Sequence, residues 1–266
     1  MNRAFRKFKA IYGVCAQDWL AYKANGVIWI LTDMVTALTM PLVWANAAKA
    51  GMISGYDSSA FVLYYLAMLL FGSFITSHMM WEIGFEIKEG QFQTYLVRPF
   101  SFFTHILIRN FAWRSIRFVF TLPFFVLLLI GYSGWLNVST VYIGWEFWVS
   151  VILGHFVSIT FVLAIAMISL WVQEAHSLFE LYYVPQLFLS GYLFPIAILP
   201  GWAQQISKFL PFYYTTGLPV ELFVRQVKPG DALPLLLGQV AWIVVMIALH
   251  KALFKRGLRV YAGVGL

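Results

Sequence analysis

The sequence predicts an all-α membrane protein with six transmembrane helices. The 266-residue chain is 61% hydrophobic and only 11% charged, and its mean hydropathy is +0.78. This composition cannot supply the polar surface that a soluble domain of the same length needs. A bilayer core of roughly 30 Å requires about 20 apolar residues in a helix. Apolar runs place the spans at 26–47, 59–81, 115–132, 143–170, 178–197 and 233–254.

The first three spans contain few polar groups. The first holds Asp33 and Pro41, and the second carries only His78 as a possible charge. The third is short in apolar residues, from Phe118 to Tyr132, so we expect it to continue from a helix that precedes it.

The last three spans follow a loop that begins near residue 133. The fourth, from Ile143 past Leu170, is long enough to tilt in the bilayer. The fifth is interrupted by Pro185, Gly191 and Pro195, and the sixth precedes a basic tail.

The distribution of lysine and arginine predicts the orientation of the chain. Residues 1–25, 82–117 and the tail after residue 250 together hold 14 of these residues, and the opposite side holds 4. The positive-inside rule therefore places both termini in the cytoplasm. The net charge of +7 is explained in this way, and the scattered cations do not favour a nucleic acid partner.

The first 20 residues are predicted to form an amphipathic helix on the membrane surface. Aromatic and apolar side chains recur there at helical spacing, and the basic residues lie largely off that stripe. The single cysteine lies on the stripe and cannot form an internal disulfide. The stripe consists of Phe5, Phe8, Tyr12, Cys15 and Trp19.

Motifs for catalysis or cofactor binding are absent from the sequence. It has no phosphate-binding loop of the G-x-x-x-x-G-K-[S/T] type, no H-E-x-x-H motif and no G-x-S-x-G nucleophile elbow. The five histidines are scattered, and no cluster has the spacing of a metal site. We therefore expect no enzyme activity, metal or cofactor on this chain, and transport, anchoring or assembly as its function.

The loop from Trp81 to Pro99 carries the strongest functional signal. The glutamates at 82, 86 and 89 share one helical face, Ile83 and Ile87 share another, and Gly90 ends the helix. A second amphipathic stretch follows at 101–114. A short polar helix followed by an interfacial helix would suit the docking of a cytoplasmic partner, and a solvated linker is the alternative.

Three sequence patterns resemble the ABC-2 type transporter permeases. The loop E-G-Q-F-Q-T-Y-L-V-R-P is similar to that family's Gly-x-x-x-x-x-Leu-x-Arg-Pro loop. Residues 191–211 are similar to the exit of the family's fifth span, and the tail from Arg259 resembles its short cytoplasmic ending. The chain departs at Gln91, where many members carry an acidic residue.

The resemblance implies an exporter half with six spans, an N-terminal elbow helix at about 3–22 and a coupling helix between Glu82 and Arg98. Two permeases, identical or homologous, would pair above two ATPase subunits, which would bind ATP and Mg. The chain would lie in the bacterial inner membrane and move a hydrophobic, amphipathic or drug-like solute or a lipid. The coupling residues that the resemblance implies are Glu82, Glu86, Lys88, Glu89, Gln91 and Arg98.

Residues 198–232 are polar yet rich in aromatic side chains. The resemblance implies a re-entrant segment, and an aromatic loop at the membrane interface is the alternative.

The whole chain is expected to form a single permease domain. Its expected parts are an elbow helix (1–25), spans one and two (26–81), coupling and interfacial helices (82–114), spans three to five (115–197), the external or re-entrant segment (198–232), span six (233–254) and a cytoplasmic tail (255–266).

Two polar residues inside the spans are candidates for the translocation pathway. Asp33 could attract cationic substrates, since a carboxylate inside a membrane faces protein or water. Alternatively, it could extend from a helix end toward the cytoplasm, or pair with Lys23 or a neighbouring span. His155 could line the pathway or hydrogen-bond another helix.

Two functions are the alternatives to an ABC exporter. One is a membrane scaffold that recruits a cytoplasmic partner, and the other is an ion-driven secondary transporter.

Overall fold

The computed structural model describes residues 3–98, 100–172 and 176–261, and within these ranges it is built from α-helices joined by short turns. No strand is present there beyond one isolated bridge between Ile53 and Tyr56. The helices are α1 (Arg3–Ala21), α2 (Lys23–Ala47), α3 (Ser58–Ile75), α4 (Met80–Lys88), α5 (Gln93–Leu96), α6 (Phe102–Gly131), α7 (Trp145–Ala166), α8 (His176–Leu189), α9 (Gly201–Phe209), α10 (Leu218–Phe223) and α11 (Ala232–Gly257).

Five helical segments in the described ranges are long and apolar enough to cross a membrane. This confirms an all-helical, multi-pass membrane protein, with five candidate spans rather than the predicted six. The five are Gly26–Ala50, Ser58–Lys88, Phe102–Gly131, Trp145–Leu170 and Pro229–Gly257.

The predicted fifth span, 178–197, is the one that is not supported. Within the described residues its helix α8 has 14 residues and is therefore about 21 Å long, which is shorter than a bilayer core of roughly 30 Å. Pro185 lies inside the helix, and the chain turns sharply at Gly191, where φ is +84°. An added Cβ at Gly191 would lie 2.4 Å from the hydroxyl of Tyr64, so the turn also requires glycine for space.

The third span does continue from a preceding helix, as the sequence predicts. α6 is unbroken from Phe102 to Gly131, although Pro123 lies inside it. The expected division between an interfacial helix at 101–114 and a span at 115–132 is therefore not present. At 30 residues, α6 extends about 45 Å, long enough to span the bilayer and to project beyond it.

The second span breaks earlier than the sequence indicates. α3 begins after Asp57, whose carboxylate accepts a hydrogen bond from the Ala60 amide at 2.7 Å, and it ends at Ile75. At the break, the Ser77 amide donates to the Ser158 hydroxyl at 2.8 Å, and the Ser77 hydroxyl donates to Asn110. These bonds replace the lost helical ones and join α3, α6 and α7.

The N-terminal helix α1 lies along the first half of α6. Phe8 and Tyr12 contact the ring of Phe111, and Trp19 contacts Phe120 edge-on. The chain turns between α1 and α2, where an added Cβ at Gly26 would lie 2.4 Å from the Trp19 ring. The predicted N-terminal helix is confirmed as a helix. Four residues of its apolar stripe, Phe8, Tyr12, Cys15 and Trp19, contact α6, whereas Phe5 is exposed.

The segment after α8 divides into an exposed and a buried part. Helix α9 exposes Trp202 and Phe209. Residues 212–224 are largely buried beside α3 and α7, and the Gly154 Cβ position lies only 2.3 Å from the carbonyl oxygen of Thr215. Re-entry of this segment into the bilayer stays a prediction, because the structure contains no membrane.

Candidate functional site

The segment between α3 and α6 folds as two short helices joined by a turn. α4 ends at Lys88, and Gly90 adopts a φ of +75°, a conformation that favours glycine. The Phe92 amide then donates to the carbonyl oxygen of Glu86 at 3.0 Å and closes the turn. The helix end that the sequence predicts at Gly90 is confirmed.

One face of this segment belongs to the protein core. Ile83, Ile87, Phe92 and Tyr95 are buried in a cluster that includes side chains of α6 and α7. A cluster of this kind fixes the segment against α6, because each buried aliphatic side chain contributes about 1.5–3 kcal/mol. The segment is therefore a folded part of the membrane protein rather than a solvated linker.

A buried ion pair fastens the segment to α6. Arg109 donates a hydrogen bond to Glu86 at 2.5 Å and a second to the Tyr95 hydroxyl at 3.2 Å. The side chains of Arg109 and Glu86 are 10% and 16% exposed. Burial raises the pKa of Tyr95, so its neutral phenol donates to Glu86.

The predicted coupling residues therefore divide into two groups. Glu86 faces inward, and Glu82 is half-buried with its Oε2 atom lacking a hydrogen-bond partner. The side chains of Lys88, Glu89, Gln91 and Arg98 are exposed. Of the three glutamates that the sequence places on one helical face, Glu82 and Glu86 are half-buried and only Glu89 is exposed.

The exposed residues of this segment include apolar ones that sequence reasoning missed. Phe85 is 62% exposed, Val97 is 84% exposed, and Leu96 is also exposed. The exposure of Phe85 could have been predicted from the sequence, because Phe85 does not lie on the helical face of Ile83 and Ile87. For the docking role proposed below, we call the set of Phe85, Lys88, Glu89, Gln91, Leu96, Val97 and Arg98 the docking face.

The two predicted pathway residues lie in different places. Asp33 of α2 forms an ion pair with Arg117 of α6, and it accepts a hydrogen bond from the Tyr192 hydroxyl at 3.2 Å. His155 of α7 contacts the carbonyl oxygen of Phe74 at 2.9 Å and Asn110 at 3.4 Å. His155 therefore joins α3, α6 and α7 by hydrogen bonds, the alternative that the sequence left open for it.

A large cavity opens between α1, α2, α4, α6 and α8. Its volume is about 620 Å³, within the usual range of roughly 300–1,000 Å³ for small-ligand sites. A smaller cavity of about 40 Å³ lies beside Asp33 and Tyr192. Four residues line both cavities: His78, Arg114, Arg117 and Tyr183. The larger cavity is also lined by Asp18, Trp19, Tyr22, Gly26, Trp29, Trp81, Glu82, Trp113 and Glu180.

Comparison with known proteins identifies the family. A family model described as ABC-2 family transporter protein matches residues 22–265. The chain belongs to the ABC-2 family of transporters. Comparison with curated proteins found no match.

Family membership makes this chain the membrane subunit of an ABC-2 transporter. ABC-2 permeases of this kind work with ATPase subunits, and the described part of this chain contains no ATPase domain. The match begins at residue 22, so helix α1 precedes the matched part of this ABC-2 permease. No group of three or more potential metal ligands occurs in the described part of the permease.

Proposed function

We propose that this ABC-2 permease exports a hydrophobic or amphipathic solute or lipid, with two ATPase subunits docked on the face defined above. The proposal depends on one observation: the segment that exposes the docking face is also fastened to α6 by a buried ion pair. The large apolar side chains of Phe85 and Val97 are exposed beside charged residues. We expect them to be buried by a partner protein, because exposed apolar groups of this kind often form the centre of a protein–protein interface.

The route from the docking face to the cavity is short. The docking face lies on α4, α5 and the turn between them, and the Glu86–Arg109 pair joins these helices to α6. Further along α6, Arg114 and Arg117 line the large cavity. Movement of the docking face by an ATPase would therefore move α6 against α2 and α8, and would change the shape of the cavity.

The remaining parts of the proposal follow from the family and from charge. ATP and Mg would bind to the ATPase subunits, and a second permease, identical or homologous, would complete the assembly. The basic segments support cytoplasmic termini in a bacterial inner membrane. The carboxylate of Asp33 forms an ion pair with Arg117. In the proposal, Asp33 therefore positions Arg117 at the pathway.

The experiment that tests the proposal is reconstitution of the permease with its ATPase subunits in lipid vesicles. We expect ATP hydrolysis that requires the permease and movement of an amphipathic probe across the bilayer that requires ATP. A bound ATPase whose hydrolysis moves no solute would favour a membrane scaffold and would contradict the proposal.

A further inference from the structure

The large cavity contains a buried arginine that forms no ion pair among the described residues. Arg114 is 6% exposed, and its Nε atom has no hydrogen-bond partner. It has a hydrogen-bond contact with the Nδ1 atom of His78 at 3.4 Å, and the Glu82 carboxyl group attracts it electrostatically without forming an ion pair. Arg117 beside it is neutralised by Asp33. Since a buried charge is costly without a counter-charge, the cavity wall has a place for an anion.

The mouth of the cavity has the opposite charge. Asp18 of α1 and Glu180 of α8 are exposed lining residues. Glu82 also lines the cavity, but its unpartnered carboxylate oxygen is buried, so Glu82 is not one of the exposed charges at the mouth. A ligand that pairs with Arg114 inside the cavity and with the acidic residues at the mouth needs a negative group at the inner end and a positive group at the outer end.

Aromatic side chains occupy the remaining wall. Four tryptophans and two tyrosines line the cavity, and indole rings are typical of the head-group region of a bilayer. Their faces also attract ammonium groups. At the mouth, Tyr22 and Trp29 are exposed and continue into the exposed apolar row of α2 that includes Ile28 and Leu31. The cavity is therefore continuous with a surface suited to acyl chains.

We propose that this cavity binds the head group of a zwitterionic glycerophospholipid, with its phosphate at Arg114 and its ammonium group near Glu180 and Asp18. Guanidinium groups bind phosphate oxygens in bidentate geometry, which suits the unpartnered Arg114. The proposal deepens the proposed function by naming the substrate class, and it rests on that function for the claim of transport. Binding itself is measured on the permease alone, so failure of binding and failure of ATP-driven transport are distinguishable.

Native mass spectrometry of the full-length permease in detergent tests the proposal. The probes are short-chain phosphatidylethanolamine, short-chain phosphatidylglycerol, which lacks the ammonium group, and free phosphoethanolamine, which lacks the acyl chains. We expect phosphatidylethanolamine to be retained most strongly. We expect Arg114→Gln to weaken its retention by about tenfold or more, because hydrogen bonds to charged groups are lost. Arg114→Lys should retain part of the binding.

The matched control is Arg256→Gln, which removes an exposed arginine of α11 that does not line the cavity. It should leave retention unchanged. If Arg114→Gln does not yield a folded protein, the proposal is tested with Glu180→Gln at the exposed mouth. This variant should abolish the preference for phosphatidylethanolamine over phosphatidylglycerol.

Three results would overturn the proposal. The first is equal retention of the two lipids by the unsubstituted permease. The second is an equal effect of Arg114→Gln and Arg256→Gln, which would mean that the lipid binds only around the outside of the helices. The third is retention of free phosphoethanolamine as strong as that of the lipid, which would indicate a soluble zwitterion.

Discussion

Glu86 and Arg109 form a buried ion pair, 2.5 Å between Oε1 and Nη1, across 23 residues of sequence. The pair joins the α4–α5 segment to α6, the longest helix of the described structure. Arg109 also lies over the ring of Trp113, whose indole nitrogen donates to the carbonyl oxygen of Cys15 at 3.2 Å. The α4–α5 segment, α6 and the N-terminal helix are thus connected through polar contacts.

Replacement of Glu86 should destabilise the permease and uncouple it. In Glu86→Gln, Arg109 keeps its charge in a buried site without a carboxylate, which costs about 3 kcal/mol or more. We expect a lower melting temperature and an ATPase that still binds but no longer responds to transported solute. Glu89→Gln, at an exposed position, is the matched control, and equal melting temperatures for the two variants would contradict the role of the pair.

Replacement of Glu89 should act on docking alone. Glu89→Lys reverses a charge on the docking face without touching the core, and we expect recovery of the ATPase on the tagged permease to fall by about tenfold. Arg256→Glu reverses a charge on α11 and should leave recovery unchanged. Normal recovery with Glu89→Lys would remove this residue from the interface.

The sequence predicts the helices better than it predicts which faces are buried. Periodicity places Glu82 and Glu86 on one face but contains no information on Arg109, whose position beside Glu86 depends on how α4 and α6 pack. The short length of α8 was also hidden, because an apolar run through Pro185 and Gly191 has the composition of a span. The turn at Gly90 and the short helix α4 before it were predictable, since backbone conformation depends on local residues.

The Asp33–Arg117 pair should stabilise the contact between α2 and α6. Asp33→Asn leaves Arg117 without its carboxylate, and because the Asp33 side chain is 30% exposed we expect a modest cost of about 1–2 kcal/mol. Unfolding in a denaturant series measures this cost. Combination with Arg117→Gln should be less damaging than the sum of the two single effects, and strict additivity would show that the two residues act independently.

The only cysteine should resist modification. Cys15 is 7% exposed, and burial raises the pKa of its thiol. A raised pKa means less thiolate at neutral pH, so labelling by a maleimide should be slow at pH 7 and should increase as the pH rises. Val14→Cys in a Cys15→Ala background places a thiol at an exposed neighbouring position and should label quickly. Rapid labelling of Cys15 at pH 7 would contradict the packing of α1 on α6.

The most direct test of the central claim is cross-linking from the docking face to the ATPase. Val97→Cys, in a Cys15→Ala background, places a thiol at the most exposed large apolar residue of that face. Val138→Cys places one at a comparably exposed site in the loop between α6 and α7. A docking role predicts a cross-linked ATPase subunit from position 97 and none from position 138. Cross-linking from position 138, or from neither position in a complex that hydrolyses ATP, would contradict it.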